Sequence, residues 1–172
     1  SHNPSSNVRL RAGIGPLNAL RAAGATAGLG LDGTTINDDD DMLAEMRLAL
    51  RLQRGPAFGD PAPTPREILA LATTGGAKLM RKQGRIGRLA PGCEADLAIL
   101  ALDRLLAPRT ATEHDPNELS AKPADIRTVL VAGRTVLDQG RITGFDEEAA
   151  MRELAGSLST QAFPAEAAAT VA

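Results

Sequence analysis

The sequence predicts an α/β fold, and three observations support this class. Helix-like and strand-like segments alternate over residues 1–83, and apolar runs of strand length recur over residues 84–145. Hydrophobic residues make up 43% of the 172-residue chain and charged residues 23%, which suits a packed core rather than a disordered segment. We therefore expect an alternating region (1–83), a β-rich region (84–145), and a final helix with a tail (146–172).

The alternating region begins with residues 1–11, which are polar and contain a proline and therefore predict a loop. Pro16 stands where the first turn of a helix tolerates proline, and this short helix should end at Gly24. The apolar run at residues 25–31 contains two glycines and predicts a buried strand. That strand would present Asp32 at its carboxyl end.

Two stronger helix signals follow. Residues 39–54 carry apolar side chains at helical spacing, with acidic residues at the start and arginines at the end, as the helix dipole favours. Prolines and glycines make residues 55–65 a loop. Thr64 and Glu67 then form a capping-box pattern for a helix that should end near Thr74, before two glycines, with one further helical turn after them.

The β-rich region shows turn residues between short apolar runs. A turn at Gly133 separates two of these runs and predicts a hairpin. A polar loop is expected at residues 109–123, Asp146 should cap a last helix, and the Ala-rich residues 160–172 should form a tail. The predicted strands are residues 95–102, 126–131, 135–137 and 141–143.

Composition and charge argue against several function classes. The chain has no Trp or Tyr, and its net charge of -2 offers no basic surface for nucleic acid or anionic membranes. No apolar run reaches the roughly 18 residues of a membrane span. The single Cys93 cannot form an intrachain disulfide, which fits a reducing, cytoplasmic location. A small molecule is the predicted partner.

Several sequence motifs, taken together, resemble those of the amidohydrolase superfamily. The sequence reads SHNPSSN at residues 1–7, GLGLDG at 28–33 and EMRLA at 45–49. It continues with GRIG at residues 84–87, LAPGCEADL at 89–97 and VLVAGRTV at 129–136. More narrowly, this order is similar to the branch that includes guanine, 8-oxoguanine and S-adenosylhomocysteine deaminases and triazine hydrolases. The resemblance covers roughly residues 1–159.

The resemblance implies a distorted (β/α)8 barrel of a metal-dependent hydrolase with a small β-sandwich-like domain, of which this chain is the C-terminal portion. Residues 1–83 would supply the last barrel units and the helices after them, and residues 84–145 the composite β-domain. Asp32 matches the family's metal ligand at the end of the eighth strand, which also relays a proton. The implied metal is Zn or Fe. Ser6, Asn7 and His2 would bind substrate.

The resemblance also implies ligands that the chain lacks. Family members carry a His-x-His pair and two further histidines, whereas this chain has only His2 and His114. A complete barrel needs about 250 residues. We therefore expect the isolated chain to be inactive, and to form a homo-oligomer or to pair with a missing N-terminal half of the same protein.

The predicted activity is hydrolysis of C–N bonds, in particular deamination of a nucleobase-like or triazine heterocycle. Three other interpretations remain open at the level of sequence. Asp32 and Gly33 could be an ordinary turn pair. The β-rich region could belong to a non-catalytic binding or assembly module, and the enzyme could instead cleave a cyclic amide.

Overall fold

A computed structural model describes residues 1–33, 36, 39–54, 62–101 and 120–160, with the side chains of residues 158–160 left aside. Helices dominate as far as Leu79, one antiparallel sheet follows, and a last helix ends the described chain. Most of the predicted loops at 55–65 and 109–123, the histidine at 114 and nearly all of the tail at 160–172 lie outside the described residues.

The first region contains more helix than predicted. Residues 1–11 were expected to form a loop, and this prediction is wrong, because a helix begins at Pro4. Proline fits the first helical position, where its missing N–H would have had no partner in the helix. The helices are α1 (Pro4–Arg9), α2 (Leu17–Ala22), α3 (Met42–Leu52), α4 (Pro65–Ala70) and α5 (Gly76–Leu79).

Helix α3 forms where the apolar spacing predicts it. The carboxylate of Asp41 accepts a hydrogen bond from the N–H of Leu43 at 2.8 Å and so caps the helix. Met46 and Ala49 point into the core from the buried face. The acidic cluster before α3 therefore includes the residue that starts the helix.

Helix α4 begins with the predicted capping box at Thr64 and Glu67. It does not end at the paired glycines. The chain continues through a π-helical turn, Leu71–Gly75, directly into α5. Gly75 and Gly76 both have right-handed helical backbone angles, so the predicted break at this point is wrong.

The predicted strand at residues 25–31 is reduced to one parallel bridge between His2 and Leu29. A longer ladder would require a longer extended neighbour, and α1 begins two residues after His2. Apart from the bridge at Leu29, the residues of this segment have no regular secondary structure.

The β-rich region forms a meander in which β1, β2, β3 and β4 pair antiparallel in chain order. The turn between β2 and β3 contains Ala132 and Gly133, both with positive φ, so the predicted hairpin is confirmed. Within the described residues these strands make one sheet, and the sandwich-like domain stays a prediction. The strands are β1 (Leu97–Leu100), β2 (Ile126–Val131), β3 (Arg134–Asp138) and β4 (Arg141–Ile142).

The last helix, α6 (Glu147–Thr160), is capped by Asp146, whose carboxylate accepts the N–H of Ala149 at 2.9 Å. No helix in the described ranges is long and apolar enough to cross a membrane.

The main core lies between the helices of the first region and the segment before Asp32. Its members come from α2, α3, α4, the π-helical turn and the segment at residue 29. The buried residues of this core are Leu17, Leu29, Met46, Ala49, Ile68 and Leu71.

Candidate functional site

Asp32 follows a short segment that pairs in parallel with the first residues of the chain through one bridge, His2 with Leu29. The N–H of His2 donates to the carbonyl of Gly28 at 2.8 Å, and the N–H of Gly30 donates to the carbonyl of His2 at 3.0 Å. The two segments therefore run in the same direction. In parallel β/α folds, side chains at the carboxyl ends of such segments meet on one face, where active sites form.

Two further hydrogen bonds hold the residues just before Asp32. The N–H of Leu29 donates to the carbonyl of Leu71 at 3.1 Å. The hydroxyl of Ser6 donates to the carbonyl of Leu31 at 3.3 Å, and Ser6 is only 1% exposed. The peptide group that leads into Asp32 is therefore supported by a buried side chain.

The side chain of Asp32 itself is exposed. Its φ of 71° lies in the left-handed region, which aspartate tolerates better than most residues. Within the described ranges, neither a hydrogen bond nor an ion pair engages its carboxylate. Turn chemistry could explain the backbone angle, but an uncommitted carboxylate at this position is also available to a cation.

His2 lies in the interior, with 8% of its surface exposed. A Cβ atom added at Gly15 would come within 3.0 Å of its Nδ1 atom, so the imidazole ring packs closely against that loop. Burial lowers the pKa of His2 below its ordinary value. The neutral ring is therefore favoured, and its Nε2 atom has no hydrogen-bond partner among the described residues.

The structure brings two of the three predicted substrate-binding residues to the Asp32 segment. His2 contacts it through the backbone and Ser6 through its hydroxyl. Asn7 lies in α1, where its carbonyl accepts the N–H of Ala12 at 2.9 Å, and its side chain is half-buried. Contact of these residues with substrate stays a prediction.

Sequence reasoning missed the role of Glu45. This residue is 2% exposed on the inner face of α3, and its Oε1 atom accepts the N–H of Ser5 at 3.0 Å. The carboxylate thus ties the first turn of α1 to α3. The available signal was an acidic residue at helical spacing within the apolar stripe of Met42 and Ala49.

A cleft of about 600 Å³ opens between α1 and α3. It has both apolar and charged walls, and Glu45 lies on the α3 side. The lining residues are Ser5, Val8, Arg9, Ile36, Asp39, Ala44, Glu45 and Leu48.

The described residues can supply one ligand of a metal site, the carboxylate of Asp32, but they do not supply a complete site. In the described part of the chain, no group of three or more His, Cys, Asp or Glu side chains could hold an ion. A catalytic zinc site uses three protein ligands and keeps a position for water or substrate. Asp32 can therefore contribute one oxygen ligand, and the rest of such a site would have to come from other residues of the protein.

Comparison with known protein families identifies the family of this chain. The model of the amidohydrolase family matches residues 1–136. A 5-methylthioadenosine/S-adenosylhomocysteine deaminase from Desulforudis audaxviator is 38% identical over 157 residues, covering 89% of this chain and 36% of the relative. An 8-oxoguanine deaminase from Pseudomonas aeruginosa is 44% identical over 147 residues, covering 84% of this chain and 32% of the relative. The chain belongs to the amidohydrolase family and spans about a third of the length of these relatives.

Solved structures agree with this assignment. An adenosine deaminase from Xanthomonas campestris with bound zinc superposes with a TM-score of 0.75 at 28% identity, over 92% of this chain and 37% of that structure. The atrazine chlorohydrolase from Arthrobacter aurescens TC1, complexed with zinc, gives a TM-score of 0.77 at 28% identity, over 90% of this chain and 34% of that structure. The fold found here is thus the amidohydrolase fold over the matched part.

Proposed function

We propose that this chain is the C-terminal part of a metal-dependent hydrolase that deaminates a nucleobase-like or triazine heterocycle. The activities of similar proteins support a small heterocyclic substrate, since these proteins include purine deaminases and an atrazine chlorohydrolase. The zinc in two similar structures supports zinc as the metal, with iron as the alternative.

The placement of Asp32 is the observation that carries this proposal. Its carboxylate is exposed and lies at the end of a segment parallel to residue 2, with the preceding peptide held by Ser6. A side chain at the carboxyl end of a barrel strand is in the usual position for catalysis. A carboxylate there can bind a divalent ion through oxygen and can also accept a proton.

Asp32 would have two tasks in the reaction. Zinc or iron, when bound, would supply the Lewis acidity that makes water nucleophilic near neutral pH. The carboxylate of Asp32 would be one of the groups that hold the ion, and it would also accept the proton that the attacking water loses. Ser6 and His2 would keep that carboxylate in place through the backbone of residues 28–31.

The test is Asp32→Asn in the whole protein, assayed with adenosine-like and guanine-like purines and an aminotriazine. We expect kcat to fall by about 10²–10⁴-fold, because a positioned acid or base contributes that much, and we expect bound zinc to fall as well. Asp40→Asn is the matched control, because Asp40 is also exposed and also has a positive φ. Wild-type turnover and zinc content in Asp32→Asn would remove the proposed role.

The isolated 172-residue chain should show no deamination and no tight zinc binding. The physical reason is that its described residues offer Asp32 without a cluster of further ligands around it. Equilibrium dialysis of the purified chain against zinc tests this expectation. A tightly bound stoichiometric ion would show that the chain assembles a site by itself.

A further inference from the structure

The π-helical turn at Leu71–Gly75 lies directly against the segment that carries Asp32. The carbonyl of Leu71 accepts two backbone hydrogen bonds, one from Gly76 within the helix and one from Leu29 at 3.1 Å. Such wide turns are rare in helices and are frequent at functional sites. This turn therefore supplies a hydrogen-bond partner to the edge of the segment that faces away from His2.

Side chains on the turn help to accommodate its wide geometry. The hydroxyl of Thr73 donates to the carbonyl of Leu69 at 2.8 Å, and that of Thr74 donates to the carbonyl of Ala70 at 3.1 Å. Hydroxyl bonds to carbonyls one turn earlier tend to bend helices. The local sequence thus favours a deformed helix at the point where it meets the Asp32 segment.

Two glycines allow the helix and the segment to touch through their backbones. A Cβ atom at Gly75 would collide with the carbonyl oxygen of Ala27, and one at Gly28 would lie 3.0 Å from the nitrogen of Gly76. Gly76 differs, because its added Cβ would have only the carbonyl of Leu71 nearby, at 4.0 Å. Adjacent glycines in one helix therefore have different spatial constraints.

A continuous run of hydrogen-bonded residues connects the turn to Asp32. Leu29 is fixed by the turn, Gly30 by His2, and the carbonyl of Leu31 by Ser6. Asp32 comes next in the chain, and its φ of 71° lies in the left-handed region. A shift of the segment at the turn would therefore move the carboxylate.

We propose that Gly75 is a positioning residue for Asp32, through the π-helical turn that supports the Asp32 segment. The inference rests on the proposed function in one respect, namely that Asp32 binds the metal. It adds that the metal affinity of the site depends on a residue that touches neither metal nor substrate. Groups that orient a metal ligand typically change affinity by about 10–100-fold when they are altered.

The experiment compares Gly75→Ala with Gly76→Ala in the whole protein. Both substitutions raise helix propensity equally, so a difference between them reports on the contact with Ala27. We expect the zinc affinity of Gly75→Ala, measured by competition with a chelator, to fall about tenfold or more, with that of Gly76→Ala within twofold of wild type. Equal affinities in the two variants would overturn the proposal.

A third variant separates positioning from general instability. Gly84 has a φ of 86°, and an added Cβ atom there would meet no atom within 4 Å, so alanine at this position strains the backbone without touching the turn. Gly84→Ala should therefore lower the thermal midpoint and leave the zinc affinity of the folded protein near wild type. A zinc affinity that falls in proportion to the thermal midpoint in both Gly75→Ala and Gly84→Ala would contradict the proposal.

A measurement on the unmodified protein covers the case in which Gly75→Ala does not fold. Because coupling between two sites is reciprocal, zinc binding should slow hydrogen exchange at the amide of Leu29, which donates to Leu71. Unchanged exchange on zinc loading would overturn the inference. A protein that binds zinc in this coupled way but deaminates no heterocycle would contradict the proposed function alone.

Discussion

The helical region and the sheet are built in different ways, although both have regular secondary structure. The helical region buries a cluster of apolar side chains from α2, α3, α4 and the Asp32 segment. The sheet has well-paired strands, but every residue of β1 to β4 is half-buried or exposed. Backbone pairing therefore defines the sheet, whereas side-chain packing defines the region that holds Asp32.

This difference explains where a precise site can exist. A carboxylate can be held in one place when the backbone before it is fixed by close-packed neighbours. The segment before Asp32 meets that condition through Ser6, His2 and Leu71. The sheet exposes large apolar residues such as Ile99 and Val131, so additional packing partners would be needed to cover it.

The two regions should differ most in the free energy of unfolding that is lost when an apolar side chain is shortened. Ile68 is completely buried in the helical core, so Ile68→Ala should lower the free energy of unfolding by about 2–5 kcal/mol. Val129→Ala in the half-buried β2 should cost about 1 kcal/mol or less. Hydrogen exchange of the chain, read separately in α4 and β2, measures both. Equal losses of unfolding free energy in Ile68→Ala and Val129→Ala would contradict the proposed difference between the helical region and the sheet.

The buried carboxylate of Glu45 provides a second test within the helical region. Glu45→Ala should cost about 1–3 kcal/mol, because it removes the hydrogen bond that the N–H of Ser5 donates to Glu45. Glu45→Gln should cost less, since an amide oxygen can still accept that bond. Exchange rates of the α1 amides measure the effect, with Glu153→Ala in the exposed part of α6 as the control. Unchanged exchange rates of the α1 amides in Glu45→Ala would show that the hydrogen bond from Ser5 to Glu45 does not stabilise α1.

The smallest expected effect is a pH dependence at the start of α4. The backbone hydrogen bond from Thr64 is the main reason that the pKa of Glu67 lies below its ordinary value of 4.5, with Arg21 adding to the effect. The ionised form is therefore favoured by folding. Its contribution is fully present above pH 4.5 and is lost as the pH falls through the lowered pKa.

Hydrogen exchange of α4 between neutral and acidic pH measures this contribution. The loss of protection on acidification should be smaller in Glu67→Gln than in wild type. Glu94→Gln is the control, because Glu94 pairs with Arg85 outside α4. Identical acid profiles for Glu67→Gln and wild type would contradict the assignment.

Local sequence signals predicted the elements that depend on local chemistry. The apolar stripe of α3, the capping box at Thr64 and the turn at Gly133 each act within a few residues. The motif GLGLDG at residues 28–33 resembles the amidohydrolase superfamily and indicated Asp32 as a site residue. The structure places Asp32 after a segment that pairs in parallel with residue 2. Its role as a ligand remains a prediction.

The elements that were missed depend on contacts between distant parts of the chain. Paired glycines suggested a helix end, but Gly75 is instead required for the approach of Ala27. Among the described residues, the predicted strand before Asp32 has only a short neighbour at residue 2, and it forms a single bridge there. Glu45 was not singled out, because its partner, the N–H of Ser5, lies 40 residues away in the sequence.

The most direct test is zinc-edge anomalous diffraction from crystals of the whole protein. We expect an anomalous peak about 2.0–2.2 Å from a carboxylate oxygen of Asp32, with histidine ligands supplied by other residues of the whole protein. We also expect Ser6 still to donate to the carbonyl of Leu31. A zinc ion bound by other residues, with the Asp32 carboxylate directed into solvent, would contradict the role of Asp32 as a metal ligand.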